Sequence, residues 1–212
     1  RDNSLDFIDA FTSLGVTTIV IGSSWQKDED ILVEYINNSP ENVKFIIAPH
    51  NIKQEQIANL KAQINKKAIL YSEYNNDASR FTQNNKLFDY QVFIIDAIGI
   101  LTKIYSYADI AYVGGGFGNP GVHNVLEPAT FGIPIIIGPN YSHFAEAAEL
   151  VNLEGCISIN IVKELSDAFN LLIYNSNERN KKGTICKNFV QMNKGATNII
   201  VEYMLNHLDT KN

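Results

Sequence analysis

At 212 residues, with 45% hydrophobic and 19% charged side chains, the chain can bury a full core and is expected to form one soluble globular domain over residues 1–212. Its formal net charge of −6 excludes the basic face of a nucleic-acid binder. No apolar run approaches the roughly 20 residues of a transmembrane helix. The opening RDNSLDF has no signal-peptide core, and a start without Met is expected of a piece cut from a longer protein. Cys156 and Cys186 offer neither a disulfide framework nor metal-ligand spacing. His50, His123, His143 and His207 are scattered, so no metal is expected, and a reducing cytosol is the default compartment.

Periodicity predicts a helix over Leu5 to Leu14, then a buried strand, Thr17 to Ile21, ending in Gly22-Ser23-Ser24-Trp25. A helix from about Asp28 to Ile36 opens with Asp28, Glu29 and Asp30, acidic residues suited to a first turn. Lys44 to Ala48 is the next strand, followed by Pro49-His50 and a helix from about Ile52 to Asn65. Ala68 to Tyr71 reads as a short strand, and the asparagine-rich Ser72 to Tyr90 as a loop with at most one helical turn. Val92 to Ile95 is a strand ending in Asp96, which is expected to cap a helix from about Ile98 to Tyr107. After the central stretch come a helix over Phe144 to Asn152, a strand over Cys156 to Ile159 and a helix over Val162 to Tyr174. Glu178 to His207 forms one or two terminal helices broken near Lys194-Gly195.

The most informative stretch is residues 109–139, DIAYVGGGFGNPGVHNVLEPATFGIPIIIGP. A strand, Ile110 to Val113, empties into Gly114, Gly115, Gly116, Gly118 and Gly121. A helix from about Asn124 to Phe131 and a strand over Pro134 to Gly138 follow. Glycines let backbone amides approach a ligand, and a helix start favours phosphate or carboxylate. Glu127 at that helix start is an acceptor for ribose hydroxyls, or else a complement to the helix dipole. His50 and His123 are phosphate donors near neutral pH or polar loop-starters. Trp25 either stacks on a base or caps the sheet. Alternating strands and helices predict an α/β fold, a Rossmann-like parallel sheet wrapped on both faces, with ligand beyond the carboxyl ends of its strands. Ser23 and Ser24, His50, Asp96 and the Gly114 to Gly121 loop all fall there.

Gly116-Phe117-Gly118-Asn119-Pro120-Gly121 matches G-x-G-x-x-G literally, but the loop comes late and no acidic residue ends the next strand, which disfavours a dehydrogenase. A P-loop and a serine nucleophile elbow are absent.

The run YADIAYVGGGFGNPGVHNVLEPATFGIPIIIGPNYSHFAEAAEL resembles closely the C-terminal half of 3-deoxy-D-manno-octulosonic acid (Kdo) transferases. GSSWQKDED resembles the family's serine-rich loop, Ala48 to His50 its Pro-Arg-His element, and Asp96 to Leu101 its Asp-x-x-Gly-x-Leu element. The likeness covers about residues 17 to 152. It implies the C-terminal domain of a GT-B glycosyltransferase, an inverting, metal-independent enzyme of lipopolysaccharide biosynthesis. Such enzymes transfer Kdo from CMP-Kdo to a lipid A precursor at the cytoplasmic face of the inner membrane of Gram-negative bacteria. The membrane contact, the acceptor surface and a glutamate general base are expected in an N-terminal domain absent from this chain, which alone is expected to transfer nothing. Donor contacts implied by the resemblance are Ser23, Ser24, His50, Gly99, Gly114, Gly115, Gly116, Asn124 and Glu127, with His123 beside them. CMP-Kdo is a substrate, and no cofactor is implied.

The chain departs from the family pattern at Trp25 and Gln26, where an Arg-Glu pair is usual, at Ala48-Pro49, where an arginine is lost, and at Ile100 in place of glutamate. Losing arginine removes bidentate anion recognition. Two alternatives stay open: a UDP-sugar transferase or epimerase domain, and a nucleotide-binding module without catalysis.

Overall fold

The computed structural model describes residues 3–12, 15–81, 86–195 and 200–205. Its apolar runs form seven strands: β1 (Thr17–Ser24), β2 (Val43–Pro49), β3 (Ala68–Leu70), β4 (Val92–Ile94), β5 (Ile110–Val113), β6 (Ile135–Ile137) and β7 (Cys156–Ser158). Every neighbouring pair is parallel, and the order across the sheet is β3-β4-β2-β1-β5-β6-β7. The helices are α1 (Asp6–Phe11), α2 (Gln26–Asn38), α3 (Gln54–Gln63), α4 (Tyr71–Asn76), α5 (Leu101–Ile104), α6 (Leu126–Thr130), α7 (Ala145–Asn152), α8 (Val162–Tyr174) and α9 (Ser176–Met192).

The strand centres are apolar on successive residues because both faces of the sheet are covered. On one face Val20, Ile46, Phe93, Ala111 and Ile135 pack under α1, α6, α7 and α9. Their sequence neighbours Ile19, Phe45, Val92, Ile110 and Ile136 point the other way, under α2, α3 and α8. Removing each Val, Ile or Phe side chain among them from water stabilises the fold by about 1.5–3 kcal/mol.

Several boundaries differ from the sequence expectation, each for a tertiary reason. β1 continues past Ile21 to Ser24 through a bulge between Gly22 and Ser24, with Ser23 left-handed at φ 55°. α1 stops at Phe11 because Thr12 is extended; Leu14 lies outside the described residues. The asparagine-rich stretch holds α4 and two 3₁₀ turns, Ala78–Arg80 and Leu87–Asp89. What stabilises α4 comes from elsewhere in the chain. Asp96, at the end of β4, accepts from both the Ser72 amide, at 2.8 Å, and the Ser72 hydroxyl. Asp96 therefore caps α4, not the helix that follows it. That following helix, α5, begins at Leu101 rather than Ile98, since Gly99 stands at φ 92°. α6 likewise begins at Leu126, two residues after Asn124. In the tail, α9 ends at Met192 and helix recurs over residues 200–205; His207 lies outside the described residues.

The sheet has its switch point at β1. The chain leaves β1 toward β2 on one side and later returns as β5 on the other. Loops that leave these strands in opposite directions open a crevice above their carboxyl ends. The end of β1, Ser23 and Ser24, packs directly against Gly114 there, with Trp25 following on one side and Gly115 and Gly116 on the other.

Candidate functional site

The crevice is closed at its base by a carboxylate. Asp28, in the first turn of α2, is fully buried, and its side chain accepts from the Tyr112 hydroxyl (2.8 Å), the Gly115 amide (2.9 Å) and the Trp25 amide (2.9 Å). One side chain thereby ties the start of α2 to the end of β5 and the glycine loop. Burial, and next the charge of Asp28, push the Tyr112 phenol up, so Tyr112 stays the donor. Beside this clamp Ser24 is also buried and donates to Glu29 Oε1 at 2.9 Å. Burial raises Glu29 above the ordinary carboxylate range, against the opposing pull of the Ser24 hydrogen bond.

The glycines are required by the packing of the protein itself. A Cβ on Gly114 would lie 2.4 Å from the Ser23 carbonyl oxygen, and one on Gly116 would lie 2.7 Å from the Gly138 backbone. On Gly115 it would come within 2.3 Å of the Gly121 oxygen. Two loop amides are already used inside the protein: Gly114 donates to Gly22 and Gly115 to Asp28. The amides expected to face a ligand are thus partly spent on holding the loop.

Above the loop three aromatic rings stack. Trp25 lies over His50 with ring centroids 4.3 Å apart, and His50 over His123 at 4.6 Å. The Trp25 indole Nε1–H donates to His123 Nε2 at 2.8 Å. His50 is exposed, and its amide is fixed by the Ser24 carbonyl at 2.8 Å. Burial, and next the neighbouring His50, lower the pKa of His123, while Asp28 opposes them.

The other candidates line an open groove of about 690 Å³ beside the ring stack. Gly99, Thr102 and Lys103 form one wall; Asn124, Leu126 and Glu127 form the other. Glu127 is half-buried, with Oε2 accepting from Thr102 Oγ1 (2.8 Å) and Oε1 from Asn124 Nδ2 (3.3 Å). Asn124 Oδ1 in turn accepts from the Leu126 amide at 3.0 Å, bridging the start of α6. A carboxylate has about four lone-pair positions, so Glu127 keeps acceptor capacity toward the groove. Asn124 and Leu126 also border a second groove of about 330 Å³, which His123, Phe144 and Glu146 line.

The sequence candidates therefore fall in two adjoining groups. Ser23, Ser24, His50, His123 and Gly114 to Gly116 surround the crevice at the switch point; Gly99, Asn124 and Glu127 share the large groove. Ser24 is turned inward to Glu29. Thr102 and Lys103 carry no local signature in the sequence, since the helix that holds them lies far before Glu127, with Thr102 25 residues away. The sequence marks Asp28 only as an acidic residue suited to a first turn. Among the described residues no group of three or more His, Cys, Asp or Glu side chains is gathered to hold a metal. No described helix is long and apolar enough to cross a membrane.

No protein-family model matches the chain. It is 34% identical over 153 residues to a 3-deoxy-D-manno-octulosonic acid transferase from Chlamydophila psittaci, an alignment covering 70% of this chain and 33% of that protein. A transferase of the same name from Chlamydia trachomatis serovar D is 34% identical over 172 residues, covering 80% of this chain and 37% of that protein. The chain thus spans about a third of the length of the curated relatives it matches. Among solved structures, the C-terminal CMP-Kdo binding domain of WaaA from Acinetobacter baumannii aligns with a TM-score of 0.70 at 18% identity, covering 84% of this chain and 91% of that one. At that identity the likeness is one of fold, the Rossmann-like parallel sheet of a GT-B glycosyltransferase.

Proposed function

For a chain that is a relative of the 3-deoxy-D-manno-octulosonic acid transferases, we propose the role of donor-binding domain in a glycosyltransferase of lipopolysaccharide biosynthesis. Its ligand is CMP-Kdo, and the acceptor is a lipid A precursor met at the inner face of the bacterial inner membrane. One observation carries the reading: Glu127 stands in the large groove at the carboxyl ends of the strands, fixed by Thr102 and Asn124 and still able to accept. Such a carboxylate recognises the paired hydroxyls of a ribose. The exposed His50 supplies a donor where the phosphate arrives, and Lys103 adds a positive charge on the groove wall.

No general base is assigned to this chain. Its part in transfer is to bind and orient the donor and to hold the leaving nucleotide, lowering the entropic cost of the reaction.

Calorimetric titration with CMP, with UMP and UDP as controls, tests the proposal. CMP is expected to bind best, and Glu127→Gln to weaken it about 10- to 100-fold, the loss of hydrogen bonds to a charged acceptor. Tighter binding of UMP or UDP would replace the cytidine donor with a uridine one.

A further inference from the structure

The ring stack above the crevice contains a constraint on protonation that the groove itself does not. Trp25, His50 and His123 leave three separate strand ends, yet the indole lies over one imidazole and donates to the other. An indole N–H can only donate. Its bond to His123 therefore requires a lone pair on Nε2, which a neutral imidazole protonated on Nδ1 possesses and an imidazolium lacks. His50 stands against the same ring at 4.6 Å, too close for both imidazoles to carry charge cheaply.

We propose that Trp25 is a positioning residue that locks His123 in the neutral, Nδ1-protonated form, leaving His50 as the imidazole of the pair that becomes cationic when an anion binds. Among the described residues no arginine lines the crevice beside Trp25 and Pro49. A single histidine then supplies the positive charge there. The groups facing His123 are Asp28 from the start of α2, the His50 ring from the loop after β2, and Glu146 from α7 across the second groove. Asp28 favours a proton on His123, yet its oxygens are already taken by Tyr112, Gly115 and Trp25. Burial and His50 act in the opposite sense. The tautomer lock stands on ring geometry alone; the role of His50 rests on the nucleotide reading above.

The test is ¹⁵N NMR of the histidine rings in the whole chain, followed across the neutral range. In the unaltered chain His123 should show a protonated Nδ1 and a bare Nε2. Trp25→Phe keeps a ring over His50 but removes the donor. It should return His123 to the ordinary mixture of tautomers and let it protonate at a higher pH, as loss of a hydrogen bond to the neutral form requires. His123→Gln, whose carbonyl can accept from the indole, should keep the Trp25 Nε1–H resonance in its bonded position. A protonated Nε2 in the unaltered chain overturns the lock, whether or not the Phe variant folds. An unchanged His123 titration in a folded Trp25→Phe chain does the same. Adding CMP should then raise the protonation of His50 and leave His123 neutral; a proton gained by His123 instead refutes the division of labour. Failure of CMP to bind at all would remove the nucleotide reading, and the role of His50 with it, while the tautomer result would stand.

Discussion

Asp28 and Glu127 make an instructive pair. Each is a carboxylate in the first turn of a helix that follows a strand and a loop, and each accepts from side chains or amides at about 2.8 Å. Yet Asp28 has no exposed surface and all its partners are inside the protein, whereas Glu127 borders an open groove. The first holds the glycine loop in place; the second is available to something else. Local sequence cannot separate them, because the partners that decide the matter lie far along the chain. Tyr112 and Gly115 are 84 and 87 residues from Asp28.

The contrast can be broken by substitution. Asp28→Ala leaves the Tyr112 hydroxyl and the Gly115 and Trp25 amides without an acceptor, and is expected to cost about 3–5 kcal/mol. Urea unfolding would measure it; a loss under about 1 kcal/mol would mean the clamp contributes little. Gly114→Ala drives a Cβ into the Ser23 backbone and should cost about 3 kcal/mol by the same assay, since backbone on both sides cannot yield. Glu127→Gln keeps an acceptor for Thr102 and should leave stability within about 0.5 kcal/mol, as at other solvent-facing positions. Its effect belongs in the CMP titration, and a variant that unfolds would place Glu127 with Asp28. The smallest change is expected at Glu29. Its folded pKa is raised by burial, so the folded state holds its proton more tightly and stability falls as pH rises from the ordinary glutamate value, about 4.3, through the raised one. Glu29→Gln keeps an acceptor for Ser24 and removes that loss. It should melt slightly higher than the parent at neutral pH, and the advantage should vanish in acid. An advantage that persists below the ordinary glutamate range would rule out the linkage.

Much of the fold is legible in the chain. The centres of runs such as TTIVI and KFIIA are apolar on successive residues, as a sheet buried on both faces requires, and glycines and helix starts follow the strand ends as read. The unread parts are those fixed by distant partners. α4 forms in an asparagine-rich stretch because Asp96 meets Ser72 from 24 residues away. β1 outlasts its apolar run because a bulge at Ser23 carries it to Ser24. In the site, Glu127 and Asn124 stand out from the sequence as polar residues after a glycine loop. Thr102 does not, since a threonine on a short helix looks ordinary until the fold brings it to Glu127. The sequence leaves Trp25 between a base platform and a sheet cap, because the two histidines it meets lie far along the chain.

Trp25 is also the only tryptophan in the chain. When it is excited apart from the tyrosines, its emission originates beside the two histidine rings. Because its ring neighbours are 25 and 98 residues away along the chain, the indole reaches its folded surroundings only once β1, β2 and β5 have aligned. An imidazolium quenches an indole that it touches, so the proton state of His50 should be visible as brightness. The protein thus carries its own fluorophore against the His50 and His123 rings, and needs no attached dye to report on them.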